Sequence, residues 1–194
     1  MANKNSRTTA TYLEWDKMMT LIKKLEKDEE YKFMLLISIG SFFGIRISDI
    51  LRLKWDDILD NEILELNEVK TGKYRKISIA VDLQEIISKA FNELSPKSSN
   101  QLIFLNKYGK KAFTVQYVNW RFKQIAKKYH LEIDFKSHCL RKTFGRKVYS
   151  MHNNEYSLLL LSELFSHKSV AVTRRYLGLR DEELQSVYDK LSMF

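Results

Sequence analysis

The stretch "SHCLRKTFGRKVYSM", residues 137–151, decides how the chain is read. Leu140, Phe144, Val148 and Met151 recur at i, i+4, i+8 and i+11, the spacing of one helical face, so the stretch is expected to be a helix with that stripe buried. His138 and Arg141, three residues apart, lie on a different face and can point together at one target. Two donors on one turn can grip a phosphate, and a guanidinium does so bidentately. A solvated polar face with an incidental histidine would look the same, so the neighbouring segments have to decide.

Downstream, "SHKSVAVTRRYLGLR" (166–180) sets Tyr176 nine residues after His167, beside two arginines and just ahead of an acidic helix start. Upstream, "FFGIRISDIL" places Arg46 after an apolar run and Gly44, where its stem leaves a buried helix end. An arginine so close to a core needs a partner, because an unpaired buried charge is costly, and Asp49 is the expected one. Between these segments the turn "VKTGKYRK" puts Lys70 and Lys73 at an exposed tip with Arg75 and Lys76 close behind. Basic turns of this kind can touch a nucleic-acid backbone. A lysine there can also donate a proton to a leaving oxygen.

The remainder reads as one mostly helical domain with a small antiparallel sheet, an α+β class. "TYLEWDKMMTLIKKLEK" opens a helix, with Thr11 and Glu14 in capping-box spacing and Trp15, Met18, Met19, Ile22 and Leu25 along one face. A buried helix covers about 30–43 and ends near Gly44, after which Ser48 and Asp49 are expected to cap a short helix. "EILELNEV" and "RKISIA" flank the KTGK turn as a hairpin. Helical patterns follow at about 82–94, 114–130, 137–151, 155–165, 169–176 and 181–192.

Composition narrows the function. Lys and Arg number 33 against 24 Asp and Glu, for a net charge of +9 and a pI near 9.4, which favours polyanion partners and nucleic acid first. No apolar run is long enough to span a bilayer, and the polar start "MANKNSRTTAT" lacks the apolar region of a signal peptide. The single cysteine, Cys139, excludes an internal disulfide and fits a reducing cytoplasm. The four histidines show no zinc-ligand spacing and there is no P-loop, so neither a metal site nor an ATPase is expected.

Taken in order, Arg46, Lys70, His138-x-x-Arg141, His167 and Tyr176 resemble the catalytic domain of the tyrosine recombinases, the phage-integrase family. "GIRISDILRLKWDDI" resembles the family's first arginine box, "KTGKYRKISI" the hairpin with its catalytic lysine, "HCLRKTFGR" its H-x-L-R box, and "LFSHKSVAVTRRYL" its histidine-then-tyrosine segment. Two departures stand out. Phe165 and Ser166 precede His167 where the family usually has Leu-Gly. Only a polar leader of about ten residues precedes the catalytic domain, expected at 11–194, so a separate core-binding domain is expected to be absent, as in the short invertases of fimbrial switches or in an excised domain.

The resemblance implies a fold, a reaction and roles. Tyr176 would attack a DNA phosphodiester and form a covalent 3′-phosphotyrosyl intermediate, with Arg46 and Arg141 on the non-bridging oxygens. His138 would act as base, His167 as a donor to the phosphate and Lys70 as general acid, with Lys73 on the same turn as runner-up. Lys73, Arg75, Lys142 and Lys168 are expected to contact DNA. No cofactor or metal is implied. The expected partner is double-stranded DNA, bound by a homotetramer on paired sites that can be a monomer without DNA. For the apolar stripe of the last helix, docking onto its own domain and docking onto a neighbour both stay open. A type IB topoisomerase-like enzyme and a catalytically silent DNA-binding module are the alternative readings.

Overall fold

The computed structural model describes residues 12–152 and 154–191. Helices α1 (Trp15–Lys27), α2 (Tyr31–Phe43), α3 (Ile47–Ile50) and α4 (Trp55–Ile58) lead into the strands β1 (Ile63–Asn67) and β2 (Tyr74–Ser78). Helices α5 (Val81–Leu94), α6 (Val115–Lys128), α7 (Ser137–His152), α8 (Glu155–Phe165), α9 (Val170–Leu177) and α10 (Leu179–Leu191) complete the chain. The sheet is the expected antiparallel hairpin, with register running from Ile63 opposite Ser78 to Asn67 opposite Tyr74.

Helix α2 is apolar around its whole circumference, and such a helix must be surrounded. It packs against α1, α5 and α7, and residues Phe33 to Ile37 are all buried at its centre. Gly44 ends it at φ +59°, and a β-carbon there would lie 2.2 Å from the Phe144 ring. Only glycine allows both that dihedral and that close approach, and together they bring Arg46 out beside α7. Ser48 and Asp49 fall inside α3 rather than capping it, because Arg46 holds the N-cap position. The expected cap at Thr11 lies outside the described residues; α1 starts at Trp15, and Glu14 makes no side-chain cap bond.

A second, smaller apolar cluster, built on Leu158, Leu161, Phe165, Leu177 and Leu179, joins α8 and α9 to the outer half of α7. Gly145 makes that contact possible: a β-carbon there would sit 2.6 Å from Leu177 and 3.0 Å from Phe165. The α7 stripe is buried only in part. Leu140 lies in the main core and Phe144 and Val148 pack on the second cluster, but Met151, 64% exposed, has run past the end of both. On α10, Leu184, Val187, Tyr188 and Leu191 are each at least 50% exposed, so this stripe is not docked onto its own domain.

Candidate active site

All six residues singled out in the sequence line one cleft of about 390 Å³: Arg46, Lys70, His138, Arg141, His167 and Tyr176. They come from five separate segments. A larger hollow of about 470 Å³, between the N-terminal segment and α7, contains none of them.

Arg141 is 6% exposed. Its Nη1 donates to the Gly44 carbonyl at 2.7 Å, and the guanidinium lies 4.3 Å above the Phe165 ring. Burial pulls its pKa down to about 10, which leaves it charged at neutral pH. Arg46 donates through Nη1 to Glu68 at 2.7 Å and through Nη2 to the Phe165 carbonyl at 3.3 Å. Its partner is therefore Glu68 and not Asp49. Asp49 instead accepts the Val69 N–H at 2.8 Å and ties the arginine box to the hairpin.

Helix α7 is pinned at its start by Asn119, whose side-chain oxygen accepts the Ser137 N–H at 2.9 Å, one residue before His138. His138 is held below the usual imidazole range by burial and by the charges of Lys142 and Arg141. His167 is lowered by burial and by Arg141 and Arg46. Its Nδ1 lies 3.0 Å from the hydroxyl of buried Thr173, which leaves Nε2 as the ring nitrogen for a ligand. Both rings are thus neutral near pH 7 and able to accept a proton. Tyr176 packs edge-on against His167 and Phe165, with ring centroids 5.1 and 5.5 Å away. Burial pushes its hydroxyl up to about 12, with the Arg141 charge acting against that rise. A preformed phenolate is therefore absent near pH 7, and attack requires the proton to leave during the reaction.

The four expected DNA contacts separate. Lys73 and Lys168 are exposed. Arg75 is not at the exposed tip, because its guanidinium turns inward to Glu68 at 3.1 Å and to the Leu164 carbonyl, leaving the side chain 16% exposed. Lys142 also faces inward, its Nζ 5.3 Å from the centre of the Tyr176 ring, where burial lowers its pKa. Sequence reading missed Glu68, Thr173 and Phe165. A signal for Glu68 existed: Leu64, Leu66 and Glu68 share one parity along the strand, so the carboxylate continues the inward-facing row.

The family model of the phage integrase family matches residues 11–183. The chain belongs to that family. Among similar proteins, this recombinase is 28% identical over 178 residues to the probable integrase/recombinase YoeC of Bacillus subtilis, covering 86% of this chain and 93% of that one. It is 27% identical to the tyrosine recombinase XerH of Campylobacter jejuni over 82% of this chain and 44% of the relative. In fold it matches a crystal structure of the XerH site-specific recombinase bound to palindromic difH substrate in a post-cleavage complex. The TM-score is 0.70 at 24% identity, over 96% of this chain and 56% of that chain. A crystal structure of XerA recombinase matches with a TM-score of 0.69, at 24% identity over 93% of this chain and 64% of that one. The chain thus spans nearly all of the Bacillus relative and about half of the Campylobacter one. Its class is that of the tyrosine-type site-specific recombinases, and its architecture is their catalytic domain. Among the described residues no helix is long and apolar enough to cross a membrane.

Proposed function

We propose that this recombinase cleaves and rejoins DNA through Tyr176, and that the observation carrying the reading is the convergence of all six residues on one cleft. Tyr176 Oη attacks the scissile phosphorus and the bond to the 5′ oxygen breaks. The DNA 3′ end is left as a phosphotyrosyl ester. His138 takes the phenol proton and Lys70 supplies one to the 5′ oxygen, so the charges balance across the step. A second 5′-hydroxyl reverses the reaction. The ester retains the bond energy, so rejoining needs no nucleotide cofactor.

A phosphodiester gains negative charge on its non-bridging oxygens in the transition state. Arg46 and Arg141 are fixed by Glu68, Gly44 and Phe165 before substrate arrives, so little reorganisation is required at the moment of reaction. His167, held by Thr173, donates to the same phosphate. Exposed Lys73 and Lys168 contact the DNA backbone, with the net charge of +9 drawing duplex towards the cleft. The uncovered stripe on α10 supports docking onto a neighbouring protomer, and thus a tetramer on paired sites. The work would take place in the cytoplasm.

The test is a nicked suicide duplex carrying the DNA that flanks the gene. Wild-type protein is expected to form a denaturation-resistant adduct, whereas Tyr176→Phe binds the duplex and forms none. Binding without an adduct from the wild type would leave a DNA-binding module. Relaxation of supercoiled plasmid by dilute monomer would favour the topoisomerase-like alternative.

A further inference from the structure

Glu68 has 0% side-chain exposure and joins three segments that carry reactive residues. One carboxylate oxygen accepts from Arg46 Nη1 at 2.7 Å and from the Thr71 hydroxyl, next to Lys70 in the hairpin turn. The other accepts from Arg75 Nε at 3.2 Å and Nη2 at 3.1 Å. Both guanidiniums then reach the last turn of α8, Arg46 at the Phe165 carbonyl and Arg75 at the Leu164 carbonyl, two residues and three residues before His167. Burial opposes the charge on Glu68, but the Thr71 hydroxyl and the two arginines outweigh it, so the carboxyl stays below its usual range and ionised.

The charge balance gives this cluster a role beyond holding the hairpin. Glu68 facing Arg46 alone would cancel the charge that Arg46 needs for a phosphate. With Arg75 on its other oxygen, one anion is shared by two cations and a net positive charge remains. Arg46 commits two of its five N–H groups, to Glu68 and Phe165, and stays 21% exposed on the cleft. We propose that Glu68 is a positioning residue that aims Arg46 at the scissile phosphate, and that Arg75 balances Glu68 so that Arg46 keeps its charge. This rests on the reading of Arg46 as a phosphate ligand. The turn bearing Lys70 touches the carboxylate through the Thr71 hydroxyl, but the Glu68 backbone also closes it through bonds with Gly72 and Lys73, so the carboxylate is not its sole support.

The experiment is single-turnover cleavage of the nicked duplex by wild type, Glu68→Gln, Arg75→Gln and the double variant, with DNA affinity measured for each. Glu68→Gln leaves two cations around a neutral amide, so cleavage slows about 10- to 100-fold while the dissociation constant changes little. Removing the second cation in the double variant restores part of that rate. A purely structural role would make the double variant slower than either single one, and that result overturns the proposal. So does a wild-type rate in Glu68→Gln. A duplex with sulfur at the bridging 5′ position needs no proton donor: Lys70→Ala recovers on it and Glu68→Gln stays slow. Recovery of Glu68→Gln there would assign its effect to Lys70 instead and overturn the proposal. If thermal melts show Glu68→Gln unfolded, Arg75→Gln carries the test, because Glu68 then cancels Arg46 and cleavage slows; an unchanged rate contradicts the proposal. A wild type that forms no adduct defeats the recombinase reading and this inference with it. A wild-type adduct with unaffected variants defeats only the inference.

Discussion

Ser166 ends α8 at φ +53°, in the left-handed region that favours glycine, and its hydroxyl is buried among the described residues without a hydrogen-bond partner. The Leu-Gly that the family usually carries ahead of its last histidine is thereby explained: this turn needs the left-handed conformation. Ser166→Gly should relieve that strain and stabilise the domain by about 1 kcal/mol, read as a rise in the denaturation midpoint with adduct formation retained. The histidines give a pH prediction of definite sign. Both His138 and His167 sit below the ordinary value of 6.5, so the unfolded chain binds their protons more readily than the folded one. Stability from these groups is present at neutral pH and falls as pH drops through that value towards the folded pKa values. Melting temperature should therefore decline between about pH 7 and pH 5.5, and the decline should flatten when both are changed to Gln. At this scale the sequence was legible through order: His138 and Arg141 alone fit a solvated helix face, and they point to a site only when read with Arg46, Lys70, His167 and Tyr176. Partners were not. Asp49 sits near Arg46 in sequence, but the strand carries Glu68 to it in space.

Among the elements, the meeting of α7 with α9 sets where Tyr176 stands relative to Arg141. Gly145 permits that approach, so Gly145→Ala would force Leu177 and Phe165 aside. The expected cost is about 1–3 kcal/mol of stability, with cleavage falling further than DNA affinity as Tyr176 shifts; equal losses in both would argue against this coupling. Helix periodicity and the hairpin turn were readable because each buries a single face or needs a single glycine. The short helices α3 and α4 were harder. They are one turn each and start at Arg46 and Lys54, residue types that do not announce an N-cap; α3 has no side-chain cap bond, and in α4 the Asp57 carboxylate accepts the Lys54 N–H at 2.7 Å. The α7 stripe was overextended for a related reason. Periodicity says which side of a helix is apolar, and only the neighbours determine where the cover ends, here before Met151.

In the whole molecule, two uneven apolar clusters meet at the active site. The main core holds Gly44 and the arginine box in place, and the smaller one holds Phe165, Leu177 and the packed ring of Tyr176. The stripe on α10 lies outside both. Val187→Asp should leave the melting temperature of the isolated domain nearly unchanged, because an exposed site contributes little to folding. It should instead reduce paired-site strand exchange far more than single-site cleavage; equal reductions would remove the case for neighbour docking. The central claim concerns one atom, Tyr176 Oη. The direct measurement is to trap the adduct on the nicked duplex, digest it with protease and locate the DNA-linked residue by mass spectrometry. The account predicts a 3′-phosphodeoxynucleotide on the peptide containing Tyr176; DNA on any other residue would contradict it.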